Sequence, residues 1–417
     1  MQSNDKLRMA IRATAAAAVL GVASQASAVT LNVGDDVEAS LYGYARLNAS
    51  YDIDENIATS TQAGDFSKIN TGAAEDNEVT GHFGADAKQT RLGVKATHSS
   101  GVAVVVEGDF RGSGNSAGSL RLRHGYGTYK GLLAGRTWSN YNSFVGNTAT
   151  LDFDGTPGVA GLQDRTEQVR YTSGPLSISL EEGKGSLSQV NPAKTQFTLD
   201  PDTGVIAEET VDPAVGDVAS VKNSMPDITA RLEDSIGRLS YSLGAVINHV
   251  EYDTGTADDS VIGFAGFAAG KFALTDMITI QGAVNYSDGA NSYMWRTGDN
   301  YYGADGYLLN GDIETISSYS ASIGTGISLG GGRSINIGYG MATMDWDDAE
   351  QDFAGNAGQL AAVRAETETN QAIHANYMWS PAPSVTMGVE YKYLKTEEVG
   401  GNDGDANRVM FAAQYNF

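Results

Sequence analysis

Apolar and polar residues alternate along most of the chain, and the alternation is clearest where it begins. From Val37 to Ile53 one parity holds Val37, Ala39, Leu41, Gly43, Ala45, Leu47, Ala49, Tyr51 and Ile53. The other holds Glu38, Ser40, Tyr42, Tyr44, Arg46, Asn48, Ser50 and Asp52. A period of two with one apolar and one polar face is a β-strand. At roughly 9 to 11 residues or more, such a strand crosses a tilted bilayer. The pattern returns near 89–99, 102–112, 120–129, 132–138, 167–173, 176–183, 226–233 and 238–249. It continues near 260–272, 277–287, 314–328, 333–344, 369–379, 384–395 and 407–417, which with the first makes sixteen strands.

The connections sort by length. After even strands they are tight-turn sequences such as Ser99-Ser100-Gly101, Lys130-Gly131, Gly174-Pro175 and Gly330-Gly331-Gly332. After odd strands they are long: 54–88, 113–119, 139–166, 184–225, 250–259, 288–313, 345–368 and 396–406. Short turns on one side, long links on the other and an even strand number describe an all-β, sixteen-stranded antiparallel up-and-down transmembrane β-barrel. In such a barrel the short turns are periplasmic and the long loops extracellular. The last strand places Val409, Phe411, Ala413, Tyr415 and Phe417 on one face. Tyr415 and Phe417 match the aromatic chain end that bacterial barrels use as an assembly signal.

The first residues predict how the chain reaches that membrane. Lys6, Arg8 and Arg12 precede a small apolar run from Ala13 to Ala23, and Ala26-Ser27-Ala28 is a peptidase-type site. Residues 1–28 are therefore expected to be a cleaved signal peptide, with 29–417 as the barrel domain. No apolar run is long enough for a membrane-spanning helix. With 51 Gly, 20 Tyr and only 8 Pro, the length suits one large barrel rather than several domains.

The formal charge is −24, and removal of the signal leaves 24 basic against 50 acidic residues. That balance argues against nucleic-acid binding. With no cysteine, the chain has neither a disulfide framework nor a Cys-based nucleophile or metal site. The five His, at 82, 98, 124, 249 and 374, have no metal-ligand spacing and no serine motif beside them. Neither an enzyme nor a cofactor is expected. The acids gather in the long links, with Asp54, Glu55, Glu75, Asp76 and Glu78 in the first and Asp345, Asp347, Asp348 and Glu350 in the seventh. Such a surface is a solvated charged face. It could also bridge through divalent cations to phosphorylated outer-membrane lipids, lipopolysaccharide among them.

Basic residues follow a different map. By parity Arg46, Arg91, Arg111, Arg121, Arg123, Arg170, Arg231 and Arg408 face inward, and Arg136 is assigned to the pore because lipid exposure is costly. Most of them fall on the first six strands, so one wall of the lumen is basic. Glu107 and Asp109 stand among them and could simply pair with them to stiffen the wall. The link after the fifth strand carries Asp152, Asp154 and Asp164, and folded inward it would set acids opposite the arginines. Opposed charges across a narrow constriction orient dipolar solutes and filter ions. Small polar or anionic solutes are the expected cargo. A closed barrel serving as an adhesin or surface-interaction protein is the alternative.

The runs Leu120-Arg121-Leu122-Arg123-His124-Gly125-Tyr126-Gly127 and Leu132-Leu133-Ala134-Gly135-Arg136-Thr137-Trp138-Ser139 resemble the DcaP-like family of outer-membrane porins. So do Leu41-Tyr42-Gly43-Tyr44, Gln89-Thr90-Arg91-Leu92-Gly93 and Leu151-Asp152-Phe153-Asp154-Gly155. The resemblance implies a homotrimer of sixteen-stranded channels for small organic anions such as dicarboxylates. It implies pore-lining roles for Arg121, Arg123, Arg136 and the Asp152/Asp154 loop. The chain lacks the Pro-Glu-Phe-Gly loop signature of general diffusion porins, and its barrel begins close to the cleavage site.

Overall fold

The computed structural model describes residues 29–33, 35–112, 118–191, 194–199, 206–211, 214–294 and 303–417. The expected signal peptide lies outside them. The barrel strands are β1 (Val37–Asp52), β2 (Arg91–His98), β3 (Ala103–Gly112), β4 (Ser119–Tyr129), β5 (Leu132–Trp138), β6 (Arg165–Ser173), β7 (Leu176–Glu181) and β8 (Asp227–Ile236). Then come β9 (Leu239–Asp253), β10 (Asp258–Ala273), β11 (Ile278–Asp288), β12 (Ser317–Gly330), β13 (Arg333–Met344), β14 (Thr367–Ala382), β15 (Val385–Glu398) and β16 (Asp403–Asn416). Each pairs antiparallel with its neighbours in sequence, and Tyr44–Asp52 of β1 against Arg408–Asn416 of β16 closes the cylinder. The sixteen strands and the sorting of the connections agree with the sequence pattern.

Polarity is inside out relative to a water-soluble protein. Leu47, Val106, Val169, Ile247 and Ile323 are exposed on the outer wall, while Arg46, Asn48, Ser179, Thr229 and Ser320 are buried toward the lumen. An apolar band facing lipid around a polar interior is what the two faces of each strand provide. Closure also removes every free strand edge except where strand lengths differ. One such place is the seam. β16 ends opposite Tyr44, so the lower part of β1 has no partner there. A strand at Val29–Val33, not expected from the alternation, pairs with Val37–Leu41 and covers that edge.

The long links hold more structure than the sequence suggests. Leu187–Asn191 and Ala214–Asp217 of the fourth link form a small sheet with Gly306–Leu309 and Asp312–Thr315 of the sixth. The seventh link contains two short helices, Asp347–Asp352 and Ala357–Arg364. In the first link Ile57, Phe66 and Ile69 are buried with Leu394 and Ala406 of β15 and β16. That link therefore lies inside the mouth of the barrel.

Asp305 ties the mouth together. Its carboxylate accepts from the backbone N–H of Ser186 at 2.8 Å and of Ser292 at 2.9 Å, with Asn248 Nδ2 at 3.4 Å. Burial, reinforced by the charge of Asp227, pushes this carboxyl up to about 7 against the pull of those hydrogen bonds. A carboxyl raised on folding stabilises the folded form fully below its unfolded pKa, and that contribution is lost as pH rises through about 7. Amide exchange at Ser186 and Ser292, corrected for intrinsic rates, is expected to be slower at pH 5 than at pH 8. Asp305→Asn should flatten that dependence, and a slope unchanged by the substitution would contradict the assignment.

Candidate functional site: a lumen narrowed by the third link

β1 to β4 carry the basic wall. Arg121 makes a forked contact with Asp109, at 2.7 and 3.2 Å. Arg123, fully buried, reaches Glu107 at 2.8 Å and Asp109 at 2.9 Å. Arg91 lies 3.9 Å from Glu107 and 5.2 Å from the centre of the Tyr44 ring. The register of β3 and β4 shifts after Glu107, a β-bulge. The extra residue lets both Arg123 and His124 face the lumen, with His124 Nδ1 3.0 Å from Thr137 Oγ1.

The bulge also decides Arg136, which the sequence reading assigned to the pore. Beyond it the parity of β4 reverses, so Gly125 and its partner on β5, Arg136, turn outward. Arg136 instead meets Glu167 of β6 at 2.7 Å on the outer wall. A single-residue bulge leaves little trace in the alternation, so the sequence did not reveal this reversal.

The third link folds into the lumen and runs along the opposite wall. At its start Ser139 Oγ and Asn140 N–H donate to Glu181 of β7 at 2.7 and 2.6 Å. Arg231 of β8 donates to the Asn142 carbonyl, and Ser143 to Glu233 at 2.7 Å. Farther along, Gly161 N–H donates to Asn285 of β11 at 3.0 Å, and His374 of β14 lies 3.2 Å from Thr156. Glu390 of β15 accepts from Leu151 N–H at 2.8 Å and Thr150 at 2.7 Å.

The carboxylate of Asp152, expected opposite the arginines, is engaged by a lysine instead. It pairs with Lys392 of β15 at 2.7 Å, both side chains being almost fully buried, and accepts from Gly64 N–H of the first link at 3.2 Å. The arginines approach other atoms of the link. Arg46 donates to the Leu151 carbonyl at 2.9 Å, and Arg111 lies over the Phe153 ring at 3.8 Å. Asp164 sits at the far end of the link beside Arg165 at 3.5 Å, away from Asp152.

Between link and wall lies a cavity of about 360 Å³. Arg46, Arg91, Arg123 and Arg165 line it, with His374, Asp152 and Asp154, and so do Tyr44, Trp138, Phe144 and Phe153. Arg165 lies 4.4 Å from the centre of the Trp138 ring. Arg170 and Arg231 stand on β6 and β8, outside the cavity lining. The sequence reading missed Arg165, Lys392 and His374. Parity would have found Lys392, which shares the inward face of its strand with Glu390.

The family model of the DcaP outer membrane protein matches residues 20–179. The solved outer membrane channel DcaP of Acinetobacter baumannii is 26% identical, with 93% of this chain and 99% of that chain covered and a TM-score of 0.73. An anion-selective porin from Comamonas acidovorans is similar in fold, at 13% identity, 91% and 100% coverage and a TM-score of 0.52. OmpF of Salmonella typhi, solved with daunomycin, gives 10%, 93% and 100%, and 0.50. No curated protein matches the chain in sequence. The chain is an outer-membrane β-barrel of porin type, and the proteins it resembles in both sequence and fold are the DcaP outer membrane proteins.

Proposed function

We propose that this barrel is a water-filled channel for passive diffusion of small hydrophilic solutes, favouring small organic anions such as dicarboxylates. One observation carries the reading: four arginines line the cavity against two carboxylates, Asp152 and Asp154. Arg46, Arg91, Arg123 and Arg165 reach it, while the charge of Asp152 is consumed by Lys392. Arg91 Nε and Arg123 Nη2 are buried donors without a protein partner among the described residues. Fixed donors in a narrow, partly desolvated space favour a carboxylate over a cation. No bond is made or broken in this reading, so it needs no enzyme chemistry and no cofactor. The working unit is a homotrimer of residues 29–417 after removal of residues 1–28, and its acidic loops face lipopolysaccharide.

Purified protein in a planar bilayer should show stepwise conductance, with a reversal potential in a potassium chloride gradient of the sign set by chloride. Folded barrels that stay silent would support the closed, surface-interaction reading instead. A cation-selective potential would remove the anion preference.

A further inference from the structure

Arg136 and Glu167 stand where a lone barrel should not place them. Their ion pair is on the outer wall, with the two side chains 30% and 54% exposed. Leu132 and Tyr171, four residues nearer the periplasmic turns on the same strands and the same face, are also exposed. Four residues of tilted strand rise about 10 Å. The apolar band of such barrels is roughly 25 Å tall, so the pair lies near its middle, where charge against hydrocarbon is costly.

The surroundings fit a protein neighbour. Next to the pair β4 and β5 present Gly125, Gly127 and Ala134 on the outer face, with Leu122 over Gly125 and a shallow hollow at Gly127. A Cβ built on Gly127 would meet nothing closer than the Ala103 carbonyl oxygen at 3.8 Å. On the far side Glu181 is buried inward, so Glu182 is directed outward and exposed, with its N–H donating to the Glu167 carbonyl at 2.9 Å. Nη1 of Arg136 makes both bonds to Glu167, which leaves the rest of the guanidinium open. The patch holds both signs: an arginine with open donors and, in Glu182, a carboxylate that no ion pair of the described residues engages. It can therefore pair with a rotated copy of itself, as a closed ring requires.

We propose that the outer wall of β4 to β7 around Arg136, Glu167 and Glu182 is the surface that contacts a second copy of this chain. Arg136 of one subunit meets Glu182 of the partner subunit across the glycine hollow. The inference rests on the trimer reading and names its interface. The chain has no cysteine, so single substitutions Ala134→Cys and Ile323→Cys can each carry one fluorophore in the full-length barrel. Ile323 is exposed on β12, across the barrel.

In phosphatidylcholine vesicles with brominated acyl chains, the label at 323 is expected to be quenched at least threefold more than the label at 134. The variant Arg136→Leu with Glu167→Leu keeps the wall apolar and able to insert. It should raise the subunit dissociation constant at least tenfold while the monomer stays folded. Equal quenching at both sites in an intact oligomer would put the interface elsewhere and overturn the proposal. Equal quenching in a protein that is monomeric throughout would overturn the trimer reading with it.

Discussion

Lys392→Leu is expected to release the third link from the wall and weaken the channel's anion preference. Asp152 and Lys392 are both almost wholly withdrawn from solvent, and their contact is 2.7 Å. Removing one partner of a buried ion pair leaves the other charge uncompensated, at a cost of about 3–5 kcal/mol. The barrel need not unfold to avoid that cost, because strand pairing does not depend on the link. Asp152 can escape by swinging into the cavity, taking Leu151 and its hydrogen bond from Arg46 with it. The lumen then gains a free carboxylate facing Arg46 and Arg91. Single-channel records should show larger, noisier steps, and the reversal potential should move toward the cation. Lys392→Leu combined with Asp152→Asn removes both charges and should recover quiet steps and the anion preference. If the single variant conducts as the wild type does, Asp152 is not held by Lys392.

Asp109→Ala acts on the other wall with the opposite electrical result. Asp109 accepts from Arg121 at 2.7 Å and from Arg123 at 2.9 Å, and its side chain is fully buried. Without it Arg121 loses its forked partner, and Arg123 keeps only Glu107. Loss of the buried carboxylate from fully buried Arg123 and partly exposed Arg121 should again cost about 3–5 kcal/mol, visible as a lower temperature for heat modification on gels. Those barrels that do fold carry more uncompensated positive charge in the lumen. Their chloride preference should rise as their stability falls. A variant that loses both stability and anion preference would show that Arg121 and Arg123 are wall braces alone.

The barrel was readable in the sequence because closure repeats one rule sixteen times. Inward residues such as Arg46, Asn48 and Ser50 alternate with Leu47, Ala49 and Tyr51 on β1, and a long link follows every second strand. Most of the basic wall was readable for the same reason. What escaped is what periodicity does not encode. The bulge after Glu107 changes only one register step, yet it moves Arg136 to the other side of the wall. Asp152 meets Lys392 across 240 positions of chain, and no local pattern marks that partner. Arg165 reads as part of a link because its strand starts two residues earlier than the alternation suggests. Within the links, the pairing of Leu187–Asn191 with Gly306–Leu309 is parallel and distant, which a reading of neighbours misses.

The inward link also has a mechanical meaning. Asn140 is fastened to Glu181 on β7, Gly161 to Asn285 on β11, and Leu151 to Glu390 on β15 and Arg46 on β1. A segment tied at such widely separated points of a ring is a chord, and a ring with a chord resists being pressed into an ellipse. A bare cylinder of this circumference would yield to uneven lateral pressure from the bilayer and change its bore as it did so. Here the same load is shared across the lumen, so the aperture keeps its shape when the surrounding lipid does not.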